Sequence, residues 1–125
     1  MSLTALGLEQ TLARQTNNTA SLSRSLGNVG RCFVRQKKYD AALEAWLEKL
    51  PLATNASERA WLRNDMGRCY LEMNLIKEAL AQAEAAQEDA NASGDQHWQM
   101  TVSVLLGQIH GTLFLALCLT QNQGR

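Results

Sequence analysis

Leu26-Gly27-Asn28-Val29-Gly30-Arg31-Cys32-Phe33 has a close echo in Arg63-Asn64-Asp65-Met66-Gly67-Arg68-Cys69-Tyr70. Each Gly-Arg-Cys-aromatic core is followed by a loop, then an aromatic or aliphatic residue, then an Ala-Leu pair. The first copy runs Gly30, Arg31, Cys32, Phe33, Tyr39, Ala42, Leu43, and the second Gly67, Arg68, Cys69, Tyr70, Ile76, Ala79, Leu80. Helix packing explains the pattern. A glycine on the first helix of a pair lets the second helix approach, and the ring three residues on fills the adjoining space. Ala42 and Ala79 keep the crossing tight, and Trp46 supplies bulk on the second helix. Ala83 stands at the Trp46 place in the second copy, so that position is expected to receive a neighbour's side chain.

Matching residues are displaced by 37 positions, close to the roughly 34-residue period of a tetratricopeptide repeat. One helix pair cannot bury its apolar face alone, so neighbouring pairs stack. The expected fold is therefore all-α, a tetratricopeptide-repeat-like helical solenoid of antiparallel helix pairs.

The 125 residues divide into a leading helix or cap (1–19), a first pair (20–56), a second pair (57–94), and a third first-type helix with a divergent apolar tail (95–125). The leading helix is expected over Ser2–Gln15, with Ser2 as N-cap and Leu3, Leu6 and Leu12 on one side, and a break at Thr16-Asn17-Asn18-Thr19. The first pair has helices over Ala20–Gln36 and to Lys49, the latter capped by Asp40 and ended by Pro51, which cannot continue it. Thr54–Ser57 reads as a polar linker. The second pair spans Glu58–Met73 and Leu75–Ala92, closed by Gly94. Asp95 caps the third helix, where Gly107 falls 40 residues after Gly67. After His110 the pattern fails, and Gly111–Leu119 is an apolar run too short by itself to span a membrane. It either extends the third helix or folds back over the last groove, and it leaves apolar surface needing cover.

Lys plus Arg equals Asp plus Glu at 12 each, so net charge gives no push toward nucleic acid or membrane. Cys32, Cys69 and Cys118 form no CxxC or Cys/His metal spacing, and the two repeat cysteines are expected as small buried thiols. The N-terminus lacks a basic region followed by a long apolar run, which points to the cytoplasm. The sequons at Asn17, Asn55 and Asn91 are then chance matches. His97 and His110 have no partnering motif. Glu78, Glu84, Glu88 and Asp89 read as a solvated acidic face, and the three tryptophans as core. No nucleophile motif or phosphate-cradling loop appears, so neither an enzyme nor a cofactor is expected.

Gly30-Arg31-Cys32-Phe33, Trp46–Ala53, Trp61-Leu62, Gly67–Glu72, Gly94-Asp95 and Trp98-Gln99 together resemble the subunit 4 family of the outer dynein arm docking complex, tetratricopeptide repeat proteins of motile cilia. The resemblance covers Ser25 to Gln108, and the segment Trp46-Leu-Glu-Lys-Leu-Pro-Leu-Ala53 is its most specific part. It implies a non-enzymatic adaptor that docks outer dynein arms on axonemal doublet microtubules beside coiled-coil docking subunits. The chain departs from the family after His110, as a fragment or short form would.

Arg24, Arg31 and Arg35 are spaced seven and four apart and share one helix face. Arg68 repeats Arg31 in the second copy. With Asn64 they form the expected partner-binding groove, taking acidic side chains from a partner protein; the competing reading is a solvated face. A co-chaperone-type clamp for an acidic peptide or chaperone tail is the alternative. Gly27 and Arg31 occupy its two first-helix places, but Asp65 stands where it would need Asn and repels a carboxylate. Self-association is also compatible with so short a repeat array.

Overall fold

A computed structural model of the protein describes the backbone of residues 5–123 and the side chains of residues 18–121. Among these are five α-helices and no strand: α1 (Ala5–Arg35), α2 (Tyr39–Lys49), α3 (Ala56–Glu72), α4 (Ile76–Ser93) and α5 (Gln96–Gln123). A 3-10 turn at Leu50–Leu52 carries Pro51 and ends α2.

The duplication extends to the turns within each pair. Lys37 (φ 62°) and Asn74 (φ 63°) both adopt the left-handed conformation. In the first turn the Lys38 N–H donates to the Phe33 carbonyl at 2.8 Å and the Lys37 N–H to Val34 at 2.9 Å. In the second, Leu75 donates to Tyr70 at 2.8 Å and Asn74 to Leu71 at 3.0 Å. Both are Schellman closures of a helix end. This geometry, rather than an Asp40 cap, starts α2: its N-cap is Lys38, without a side-chain bond, and Asp40 sits in the first turn.

Small residues set how closely the helices cross. A Cβ on Gly30 would fall inside the indole of Trp46, whose Nε1 donates to the Gly27 carbonyl at 3.3 Å. Gly67 serves α3 and α4 in the same way, since an added Cβ would lie 3.4 Å from the Ala79 carbonyl oxygen. Ala83, at the Trp46 place, is fully buried beside Leu105 of α5. The neighbour's side chain expected there is therefore Leu105, and it would come within 3.0 Å of a Gly67 Cβ.

α3 is buried on two opposite faces. Leu62, Met66 and Cys69 pack with Ala42, Leu43 and Trp46 of α2. Ala60 packs with Ala86 and Ala90 of α4 and Val102 of α5. The equivalent outer face of α1 has no helix against it among the described residues, so Cys32 is exposed where Cys69 is buried. The expectation of two matching buried thiols thus fails at Cys32.

Two boundaries differ from the sequence reading. α1 runs unbroken through Thr16-Asn17-Asn18-Thr19, because Asn and Thr cost only tenths of a kcal/mol each and no Gly or Pro lies between Leu8 and Leu26. The proposed cap Ser2 and the side chains of Leu3, Leu6 and Leu12 lie outside the described residues. Thr54–Ser57 is only partly linker: Asn55 caps α3, its Oδ1 accepting from the Glu58 N–H at 2.8 Å. At the other end, Gly94 (φ 70°) closes α4 and Asp95 Oδ1 accepts from the His97 N–H at 2.9 Å, as expected.

The Gly111–Leu119 run extends α5 in one continuous helix. The segment Gln96–Gln121, with mean hydropathy 1.9, is consequently long and apolar enough to cross a membrane by length and composition, unlike the run considered alone. Its inner face is taken, however: Val102, Leu105 and Ile109 are buried against α3 and α4.

The two glycines Gly30 and Gly107 should respond oppositely to alanine. Gly30→Ala should destabilise the chain by about 1–3 kcal/mol through overpacking against Trp46. Gly107→Ala, with nothing within 4 Å of the added carbon, should stabilise the single, unassociated chain by about 0.5–1 kcal/mol. Denaturant unfolding followed by circular dichroism reads both.

Candidate functional site

Arg31 and Arg35 leave α1 on the side where α3 presents Arg68, and the three line an open cavity of about 500 Å³. Val34, Tyr39, Trp46 and Cys69 form its apolar wall, and Asp65 and Glu72 supply two carboxylates. The expected arginine groove is therefore assembled in part. Arg24, exposed near the middle of α1, is not among the residues lining it. Asn64 does not line it either: it is 1% exposed in the α3 core with its Oδ1 unpartnered. The reason lies in the repeat, where position 64 corresponds to Gly27, on the helix face turned to its own partner helix.

The site is stiffened from behind. The Arg31 guanidinium lies 4.7 Å from the Trp61 ring centroid, and Trp61 meets Trp46 edge-on at 6.4 Å. Such stacking fixes the guanidinium plane while leaving its N–H edge available. The three arginines outnumber the two carboxylates, so the cavity keeps a positive excess.

Asp65 is the tension in the site. Burial raises its carboxyl above the ordinary value, although the Asn64 side chain and the charges of Arg68 and Arg31 act the other way. Burial, reinforced by the Asp65 charge, also pushes the Cys69 thiol up to about 12, which leaves it an inert thiol.

Sequence reading missed Lys49. It is 3% exposed, and its ammonium donates to the Ser23 carbonyl at 2.9 Å, to Ser23 Oγ at 2.7 Å and to Glu58 Oε1 at 2.9 Å. It also lies 5.7 Å from the Trp61 ring centroid. One side chain thus ties α1, α2 and α3 together and holds the tryptophan that carries Arg31. The signal was present: Ala42, Trp46 and Lys49 are spaced four and three apart on the buried stripe of α2. For Glu58, burial raises the carboxyl, but hydrogen bonds from Lys49 and Thr54 and the Lys49 charge outweigh it and hold the group below its ordinary value.

The acidic face of α4 is also reapportioned. Asp89 accepts from Arg59 Nε at 3.3 Å and pairs with Arg63 Nε at 3.4 Å, joining α4 to α3. Glu84 and Glu88, with Gln87, Ser103, Leu106 and His110, line a second open cavity of about 540 Å³. His97 meets Trp98 edge-on, with ring centroids 5.0 Å apart. Among the described residues no group of three His, Cys, Asp or Glu is placed to hold a metal ion.

Comparison with known proteins bears out the resemblance read from the sequence. The chain is 40% identical over 97 residues to outer dynein arm-docking complex subunit 4 of Bos taurus, covering 78% of this chain and 14% of that protein. The subunit of the same name in Xenopus laevis is 43% identical over 86 residues, covering 69% of this chain and 16% of the relative. In Danio rerio the identity is 41% over 97 residues, or 78% and 20%. The chain thus spans between a seventh and a fifth of the length of these curated relatives. No family model matches it, and no solved structure does.

Two substitutions probe the electrostatics. Lys49→Met should cost on the order of 2–3 kcal/mol at neutral pH, by stranding the Ser23 oxygens and Glu58. The Glu58 contribution exists above its ordinary value of 4.5 and is lost as pH falls through the lower folded value, so the gap to wild type should narrow in acid. Asp65 has the opposite sign. Its raised carboxyl opposes folding when ionised, so Asp65→Asn should raise Tm at pH 7, and this gain should vanish below the ordinary value of 3.8. Thermal unfolding across pH 3–7 measures both.

Proposed function

We propose that the chain is a non-enzymatic protein-binding scaffold, a short tetratricopeptide-repeat-like solenoid that takes part in docking outer dynein arms on axonemal doublet microtubules of motile cilia. The reading rests on one observation above the others. Arg31, Arg35 and Arg68 converge on one cavity at the seam between two successive helix pairs, in a chain about 40% identical to proteins named as docking-complex subunits. The partners are docking-complex coiled-coil subunits or outer-arm dynein components, presenting acidic side chains. The working compartment is the cytoplasm and the axonemal cytoskeleton. Neither nucleic acid nor a membrane is a partner in this role, and no cofactor is needed.

The seam is suited to such capture because its charges are partly prepaid. Arg31 is already ordered on Trp61, so less side-chain entropy is lost when a carboxylate arrives. The apolar wall of Val34, Tyr39 and Trp46 accommodates the aliphatic or aromatic neighbours of that carboxylate. The co-chaperone alternative fares worse. Asp65, one of the residues lining the seam, opposes a free carboxyl terminus at close range, and Asn64 is withdrawn into the core.

The two signs of charge in the seam separate this reading from a bland solvated face. In pull-downs from ciliated-cell extract, Arg31→Ala with Arg68→Ala should reduce recovery of docking-complex or outer-arm dynein subunits several-fold. Asp65→Asn should increase it. Equal recovery with all three chains, or recovery of chaperones alone, would contradict the proposal.

A further inference from the structure

The 28 residues of α5 include no Asp, Glu, Lys or Arg. Its inner face is buried, yet the opposite face is apolar and open. Met100 is 70% exposed, Val104 62%, Phe114 66% and Leu115 63%, flanked by Leu117 and Leu119. Gly107 and Gly111 lie between them, with nothing within 4 Å of an added Cβ at either. The internal repeat identifies this face. Residues 60, 64 and 67 of α3 are buried, Ala60 and Gly67 directly against α4. Forty positions later stand Met100, Val104 and Gly107, the corresponding face, with no helix upon it among the described residues.

We propose that this face docks a second copy of the chain, α5 against α5 about a two-fold axis. Three features favour a second copy as the occupant. The first is area: Met100, Val104, Phe114 and Leu115 share the face and Leu117 and Leu119 edge it on either side, so at roughly 100 Å² for each large side chain this exposed the patch offers on the order of 600 Å² per copy, approaching the ~800 Å² per partner of a standard interface. A patch of that size lies at the upper end of what monomers leave open, where patches are often functional. The second is charge, because an uncharged helix excludes a partner bearing buried ions and admits one equally uncharged, which α5 itself is. The third is shape: the two adjacent glycines form a shallow dip that a two-fold brings over its own copy, so backbones approach where side chains are smallest.

A lipid bilayer fits less well, despite the length of the helix. A spanning helix presents its circumference to lipid or to other apolar segments. The inner side of α5 instead abuts α4, where Glu84 and Glu88 line a cavity together with its own His110. Immersing α5 would strip water from those carboxylates.

Sedimentation equilibrium of the full chain at micromolar concentrations tests the proposal. The expected result is a species of twice the 13.8 kDa chain mass, with Val104→Glu and Gly107→Glu each weakening association about tenfold or more by bringing like charges together. Circular dichroism must show both variants helical. Gly107→Leu, which raises helix propensity while filling the dip, must weaken association likewise and keeps the test valid if a Glu variant unfolds. A wild-type monomer, a dimer indifferent to all three changes, or flotation of the chain with neutral phosphatidylcholine vesicles in place of dimerisation would overturn it.

Discussion

The constraint on which the molecule depends is that α3 must be covered on two opposite faces at once. Leu62, Met66 and Cys69 face α2, whereas Ala60 and Gly67 face α4. A single 17-residue helix cannot be stable on its own at that composition, and neither helix pair buries a sufficient core alone. The small residues make the double coverage possible. Gly30 admits the Trp46 ring, and the Ala79–Ala83–Ala86–Ala90 stripe, buried throughout, lets α4 lie close to α3 and still receive Leu105 from α5. The fold is built by withholding side chains along its seams and placing a few large ones at set points.

The candidate site is a by-product of that packing. Because α1 and α3 both present an Arg one residue after the glycine of their crossing with the partner helix, stacking the pairs brings Arg31 and Arg68 to the same cavity. The ammonium of Lys49 then connects stability to the site. By holding Ser23, Glu58 and the Trp61 ring together, it ties the wall behind Arg31 to the core of the first pair. Asp65 works against folding while ionised and lowers the positive excess of the site, so its retention there costs both stability and charge. A residue that lowers stability at a seam is consistent with selectivity in what the seam accepts.

The repeat was legible because it is written in residues that have one structural use each. Gly30 and Gly67 mark the close crossings, Gly94 the left-handed end of α4, and Asp95 the start of α5. What stayed hidden depended on tertiary partners. Lysine in a left-handed turn at Lys37 carries no local signature, and Cys32 and Cys69 share a Gly-Arg-Cys-aromatic context yet differ in burial because, among the described residues, α3 and not α1 has a helix on that side. Asn64 and Arg24 fall beside Arg31 and Arg68 by helical spacing alone. The helix rotation that goes with the close crossings at Gly67 and Gly30 turns the first into the core and leaves the second outside the cavity. Lys49 was legible in principle, as a charge on a buried stripe, but its three acceptors come from two other helices.

If α3 is held from both sides, then α2, α3 and α4 unfold as one unit. Native-state hydrogen exchange measures this directly. The account predicts that the slowest amides of these three helices share one opening free energy, which falls by the same amount in all of them when Gly30 is replaced by Ala. Exchange of α2 at a free energy distinct from that of α3 and α4, unmoved or moved alone by the Gly30 change, would contradict it.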